Sequence, residues 1–186
     1  MTPELEARYR EPQRRYHTLA HIADCLAELS EVPGLTPRER RLIELALWWH
    51  DAVYDPTRTD NEEASADLAR RDLAAIGEPP GVIDEVARLI LLTKGHTVPL
   101  GDRLGAILVS IDLAILGREP KAYDRYAAQV REEYGFVPDD AFRNGRAAVM
   151  RKFLEAPAIY PDPAFRERYE ARARANIARE IARLEA

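Results

Sequence analysis

The chain contains four histidines, and the residues around them decide what chemistry they can do. His17 and His21 are four apart in Arg-Arg-Tyr-His-Thr-Leu-Ala-His-Ile, a spacing that puts both imidazoles on one face of a helix. His50 and Asp51 stand together at the end of the apolar run Leu45-Ala46-Leu47-Trp48-Trp49, and His96 follows Leu91-Leu92-Thr93-Lys94-Gly95. Asp112 interrupts the apolar segment Ala106-Ile107-Leu108-Val109-Ser110-Ile111-Asp112-Leu113-Ala114-Ile115-Leu116. An ionised carboxylate buried there without a partner costs several kcal/mol, so it demands a cation, an arginine or strong hydrogen-bond donors. A structural ion pair or a hydrogen-bonded core aspartate answers that demand, and so does a metal. Two His and two Asp form a sensible ligand set for a divalent ion, with imidazole suiting transition metals and carboxylate neutralising charge. A set without cysteine also leaves coordination positions for water or substrate.

These residues need elements to hold them, and the periodicity predicts helices almost throughout. Thr36-Pro37-Arg38-Glu39 is a capping box with Pro at the first helical position, followed by Leu42, Leu45, Ala46 and Trp49 at helical spacing. Thr59-Asp60-Asn61-Glu62 reads as a second capping box, opening a helix that Gly77 stops. Pro79-Pro80-Gly81 starts the next, with Val82, Val86, Leu89 and Ile90 facing inward. Further helical segments cover about 102–116, 120–134 and 139–155, and Asp162-Pro163 caps a last helix with a stripe through Phe165, Ile177, Ile181 and Leu184. That stripe packs on the core or serves a homo-oligomer. The expectation is one all-α domain, 1–186, of about eight helices with no strand and no linker long enough to divide it.

Composition narrows the partners. The 186 residues carry 27 Lys and Arg against 32 Asp and Glu, a net charge of -5, which removes the electrostatic footprint of a general nucleic-acid binder. A local basic pocket for a small phosphate ester is still compatible with it. The lone Cys25 forms no internal disulfide and reads as a small buried apolar residue, although it lies one turn beyond His21. The longest apolar stretch, Leu104–Leu116, is broken by Ser110 and Asp112 and is shorter than the roughly 20 residues a membrane span needs. The opening Met-Thr-Pro-Glu-Leu-Glu has neither the basic region nor the apolar run of a secretory leader, so a cytoplasmic protein is expected.

The order His21, His50-Asp51, Asp112 resembles the metal-binding signature of the HD-domain superfamily of metal-dependent phosphohydrolases. Tyr16-His17 with His21 four residues on is similar to a pair in cyclic-nucleotide phosphodiesterases, as are Leu92-Thr93-Lys94-Gly95-His96 and Ile111-Asp112-Leu113. Pro12-Gln13-Arg14-Arg15-Tyr16-His17, His50-Asp51-Ala52-Val53-Tyr54-Asp55 and Asp60-Asn61-Glu62-Glu63 extend the resemblance along the chain, to a small bacterial branch of predicted HD-superfamily phosphohydrolases. The resemblance implies that His21, His50, Asp51 and Asp112 hold a divalent ion (Mn, Mg, Co, Ni, Fe or Zn). It implies that His17 protonates the leaving oxygen. Asp55 falls where the stringent-response hydrolases carry the second acid of a Glu-Asp pair, but Tyr54 replaces the first, which weakens the case for a guanosine-tetraphosphate hydrolase.

The reaction implied is hydrolysis of a small phosphorylated substrate, a nucleotide or similar ester, by metal-activated water. Phosphoryl transfer needs positive charge around the equatorial oxygens, and Arg14, Arg15 and Lys94 lie nearest the motifs, with Arg131 a weaker candidate. His96 is a candidate for substrate or a second metal, or simply a charge at a helix end. Glu62 has its explanation in the capping box, Glu63 and Asp60 in solvation, and Trp48 and Trp49 in core packing, although one tryptophan could line a base-binding slot. His17 as a core histidine on a carbonyl is the structural alternative to an acid. Two other functions compete: a non-catalytic module binding nucleotide or metal, and an HD-type di-iron oxygenase. The latter uses two histidines between the His-Asp pair and the final Asp, where this chain has only His96.

Overall fold

The computed structural model describes residues 3–186. Among these there are nine α-helices and one 3-10 helix, with no strand, so the all-α expectation holds. The chain divides into two compact units, the first running to Asp112 and the second from Leu113 to Ala186. No helix among the described residues is long and apolar enough to cross a membrane.

The first unit holds α1 (Pro3–Arg8), α2 (Leu19–Glu31), α3 (Pro37–Trp49), α4 (Asn61–Ala75), α5 (Pro80–Leu92) and α6 (Arg103–Asp112). Here α3 is central and packs against α2, α4, α5 and α6. Its inward residues Leu42, Ile43, Ala46 and Leu47 recur at helical spacing and meet Ile22, Leu73, Leu89, Ile90 and Leu108 in a fully apolar core. Thr36 starts α3 as the capping box requires: its hydroxyl accepts from the Glu39 amide at 3.2 Å while Glu39 accepts from the Thr36 amide at 2.8 Å. α4 stops where Gly77 takes φ +80, a left-handed turn that costs glycine nothing.

Three local readings need correction. α4 opens at Asn61 with Asp60 as its N-cap and no side-chain cap bond, so there is no second capping box. The helix starts one residue later than a Thr59 cap would place it, and the carboxylate of the actual N-cap, Asp60, is taken by Arg58 at 2.8 and 3.0 Å. The segment at 102–116 is α-helical only to Asp112 and continues as a 3-10 helix, Leu113–Gly117. The short α1 was not anticipated, and it raises the helix count from about eight to nine.

The second unit follows that 3-10 helix with α7 (Pro120–Glu133), α8 (Asp139–Glu155) and α9 (Pro163–Glu185). Asp162 caps α9, accepting from the Ala164 and Phe165 amides at 3.0 and 3.2 Å. The buried stripe of α9 runs Phe165, Tyr169, Ala173, Ile177, and it carries Asn176 and Glu180 inward where apolar Ile181 and Leu184 had been expected. Glu180 takes both guanidinium contacts of Arg146, at 2.9 and 3.3 Å, and the hydroxyl of Tyr123.

Candidate metal centre

Each donor residue sits at or beside a helix end, where local rules aim it. Thr18 is the N-cap of α2, its hydroxyl accepting from the Ala20 amide, and His21 follows within the first turn, buried. His50 is the C-cap of α3, with its amide still bonded to the Ala46 carbonyl at 2.9 Å. Its Nδ1 stands 2.8 Å from the Leu47 carbonyl, which can only accept. Nδ1 therefore carries a proton, and Nε2 is the nitrogen turned to the carboxylates, with a lone pair for a metal once its own proton is released. Asp112 is the last residue of α6, whose start is capped by Asp102 accepting from the Gly105 amide at 3.0 Å.

These residues converge. His21 Nε2 lies 3.2 Å from His50 Nε2, 3.6 Å from Asp51 Oδ2 and 3.2 Å from Asp112 Oδ1. His50 Nε2 lies 3.0 Å from Asp51 Oδ2 and 3.5 Å from Asp112 Oδ1. Donor atoms about 2.1 Å from a common centre stand roughly 3.0–3.4 Å apart in octahedral or tetrahedral coordination. His21, His50 and Asp51 stand close enough to form a possible metal-holding triad, and Asp112 approaches the same two imidazoles. Cys25 borders the same place, its Sγ 3.7 Å from both nitrogens of His21, and forms with His21 and Asp112 a second possible triad.

The electrostatics lead to the same donor set. The ion pairs of Asp51 run to His21 and His50, and those of Asp112 to His21, His50 and His96, so imidazoles supply counter-charge to both carboxylates. Burial would raise both carboxyls, but the surrounding imidazoles, with His50 prominent for each, hold them below the usual carboxylate range. Burial would likewise depress the His50 imidazolium, and the charge and hydrogen bonds of Asp51 and Asp112 outweigh it and raise the group well above its ordinary value. Burial, then the charges of Asp112 and Asp51, push the Cys25 thiol up, away from the thiolate a soft metal needs.

The remaining sequence candidates fall in different places. His17 is not on the face of α2 with His21, because Thr18 ends the helix before it. Its ring instead stacks on Tyr54 at 4.1 Å, with its centroid 6.1 Å from that of His21. Arg14 is buried and its guanidinium donates to the carbonyls of His17, Asp51 and Ala52 at 3.0, 2.8 and 3.3 Å. It clamps the two segments that carry His17 and Asp51. Arg15 is exposed and donates to the Pro12 and Arg14 carbonyls, while Lys94 is engaged with Glu63 and the Thr59 carbonyl. The Asp55 carboxylate caps its own turn, accepting from the Thr57 amide and hydroxyl at 2.9 and 2.7 Å. His96 reaches the cluster: its Nε2 is 3.2 Å from Asp112 Oδ2. Arg131 belongs to the second unit and bonds to Asp139 and the Tyr134 and Val137 carbonyls.

Two supporting residues had drawn no attention as such. Ser65 and Asn61, four apart at the start of α4, grip the loop after Asp51: the Ser65 hydroxyl accepts from the Val53 amide at 3.0 Å, and Asn61 accepts from the Asp55 amide at 3.1 Å. A serine among Ala64, Ala66 and Leu68 on an inward face was the available signal. Compared with known proteins, the chain matches no family model, no curated protein and no solved structure.

Proposed function

We propose that the chain is a metal-dependent phosphohydrolase of the HD type, acting on a small phosphorylated substrate such as a nucleotide. The observation that carries the reading is the convergence of two imidazoles and two carboxylates, each carboxylate paired with histidine. His21, His50, Asp51 and Asp112 would hold a divalent ion, and the Leu47 carbonyl fixes the tautomer that leaves His50 Nε2 free to ligate. Such an ion, when bound, brings the pKa of its water towards neutrality and polarises a phosphoryl oxygen.

The chain's own residues supply the rest of this reaction. Asp112 stays ionised and orients the attacking water. His17, held flat against Tyr54, gives a proton to the departing alkoxide, which is worth roughly 100- to 10,000-fold in rate. Arg14 acts as a positioning residue, since its guanidinium is engaged by the Glu11 carboxylate and by three carbonyls. Arg15, exposed on the same segment while donating to the Pro12 and Arg14 carbonyls, brings positive charge for phosphate oxygens.

The test is product release from a panel of nucleotides and phosphate esters, read by chromatography with manganese, cobalt, nickel or magnesium. Wild type is run beside Asp51→Ala, with helical content checked by circular dichroism. Metal-dependent turnover that disappears in a folded Asp51→Ala supports the proposal. Tight nucleotide binding without turnover under any metal replaces it with a binding module, and oxygen uptake with iron replaces it with an oxygenase.

A further inference from the structure

Asp112 divides its two oxygens between two sets of partners. Oδ1 lies 3.2 Å from His21 Nε2 and 3.5 Å from His50 Nε2, and Oδ2 lies 3.2 Å from His96 Nε2. The residue that meets the second oxygen has an unusual backbone. His96 is the single non-glycine with positive φ among the described residues, at +55, directly after Gly95 at +83. A side chain bearing a Cβ rarely takes this conformation, which survives only where its surroundings enforce it. The surroundings here do. On one side Lys94 is tied to Glu63 and to the Thr59 carbonyl. On the other, Arg88 holds Asp102 through both oxygens, at 2.5 and 3.3 Å, where α6 begins.

We infer that His96 is a positioning residue: its Nε2–H donates to Asp112 Oδ2, fixes the carboxylate plane and aims Oδ1 at the metal, and the strained turn at Gly95-His96 exists to deliver that bond. This inference rests on the metal centre proposed above and gives His96 a task other than direct contact with substrate or a second ion. A carboxylate left to rotate offers either oxygen, or both, to an ion. One held by its distal oxygen presents a single oxygen in a fixed direction. Supporting hydrogen bonds of this kind typically change metal affinity or activity 10- to 100-fold when removed.

The test uses the full-length chain, cobalt(II) as the probe, and three substitutions at one position. Binding is followed by the visible spectrum and by calorimetry, and thermal unfolding is recorded on chelator-treated protein. His96→Ala is expected to bind cobalt about 10- to 100-fold more weakly with the same stoichiometry as wild type. His96→Gln, whose amide keeps a donor, recovers part of that loss. His96→Gly loses the donor like alanine but accepts the positive φ, so it binds cobalt as weakly as alanine while unfolding about 2–4 °C higher in its metal-free form. Unchanged affinity in His96→Ala overturns the inference, as does a stoichiometry that falls by one ion, which would make His96 a ligand in its own right. Equal melting temperatures for the Gly and Ala variants overturn the strain. A wild type that binds no cobalt overturns the metal centre itself, whereas cobalt binding without hydrolysis of any ester overturns only the reaction proposed for it.

Discussion

Each unit of this molecule buries a cluster of ionisable side chains, and the two clusters are balanced in opposite ways. In the second unit Glu180 is met by Arg146 through both oxygens and by the Tyr123 hydroxyl, with Arg146 lying over the Tyr126 ring at 5.1 Å. Charge and hydrogen bonds close on themselves there, and the Arg146 and Glu180 side chains are 9% and 7% exposed. In the first unit Asp51 and Asp112 are mostly enclosed, with side chains 19% and 14% exposed, but their partners are imidazoles, which carry charge only when protonated. A guanidinium is a permanent counter-charge, while an imidazole gives up its proton to a competing cation. The first arrangement is therefore structural and inert. The second has counter-charges that a metal, under the proposal above, would replace.

The largest effect expected from this contrast is in the self-balanced cluster. Arg146→Met leaves Glu180 buried and unpaired and should destabilise the chain by about 3–5 kcal/mol in urea unfolding. Arg146→Met with Glu180→Leu should recover most of that loss, because no charge is then stranded. If the single variant is as stable as wild type, the cluster is not the closed unit described. Next comes the metal. Manganese at a hundredfold excess over its dissociation constant should raise stability by about 2.7 kcal/mol, and Asp51→Asn should abolish the increment. The increment should survive in the Arg146→Met, Glu180→Leu pair; its loss there would break the contrast between the clusters.

Smaller still is Tyr123→Phe, which removes one hydrogen bond to a charged acceptor and should cost about 1.5 kcal/mol. The same residue sets a pH dependence. Burial first, and then the Glu180 charge, raise the Tyr123 phenol above its ordinary value. A raised folded-state value means that the stabilisation is complete below the unfolded phenol's pKa of about 10 and is lost as pH rises beyond it. Denaturation at pH 9 and pH 11 should give a steeper fall for wild type than for Tyr123→Phe, and equal slopes would place the alkaline loss elsewhere.

How much of this was legible in the sequence follows from how local each signal is. The helices at Thr36, Gly77 and Asp162 were readable because a cap or stop is decided by residues within one turn of it. Asp112 stood out because a carboxylate inside an apolar run needs an explanation wherever it folds. Thr59-Asp60-Asn61-Glu62 satisfies the capping pattern and fails, because the helix starts one residue later with Asp60 as its N-cap and the Asp60 carboxylate is held by Arg58. The spacing of His17 and His21 misled for a related reason: Thr18 between them is a better cap than helix interior. Glu180 was invisible. In Ala178-Arg179-Glu180-Ile181-Ala182-Arg183 every turn carries charge, and only the packing of α8 on α9 decides which one goes inside. Arg14 looked like a phosphate ligand because its carbonyl partners are mostly about 37 residues away and carbonyls leave no trace in a sequence.

The grip of Arg14 bears on the order in which the site comes apart. Residues 9–18 form no helix of their own, and side chains tie them to the rest of the unit: the buried Arg14 guanidinium on the carbonyls of Asp51 and Ala52, the Tyr9 hydroxyl on the Trp48 carbonyl, the Gln13 amide on the Tyr54 carbonyl and the His17 ring on Tyr54 among them. His21, only four residues beyond His17, is secured by the hydrogen-bonded ladder of α2. Brief opening of the segment would carry His17 off its tyrosine while His21 stayed in register, so in hydrogen exchange the amides at 14–18 should lose protection at a lower free energy than those from residue 22 onward. His17 and His21 are thus neighbours in sequence that are anchored by different means, the first through side-chain contacts of an irregular segment and the second through a helix.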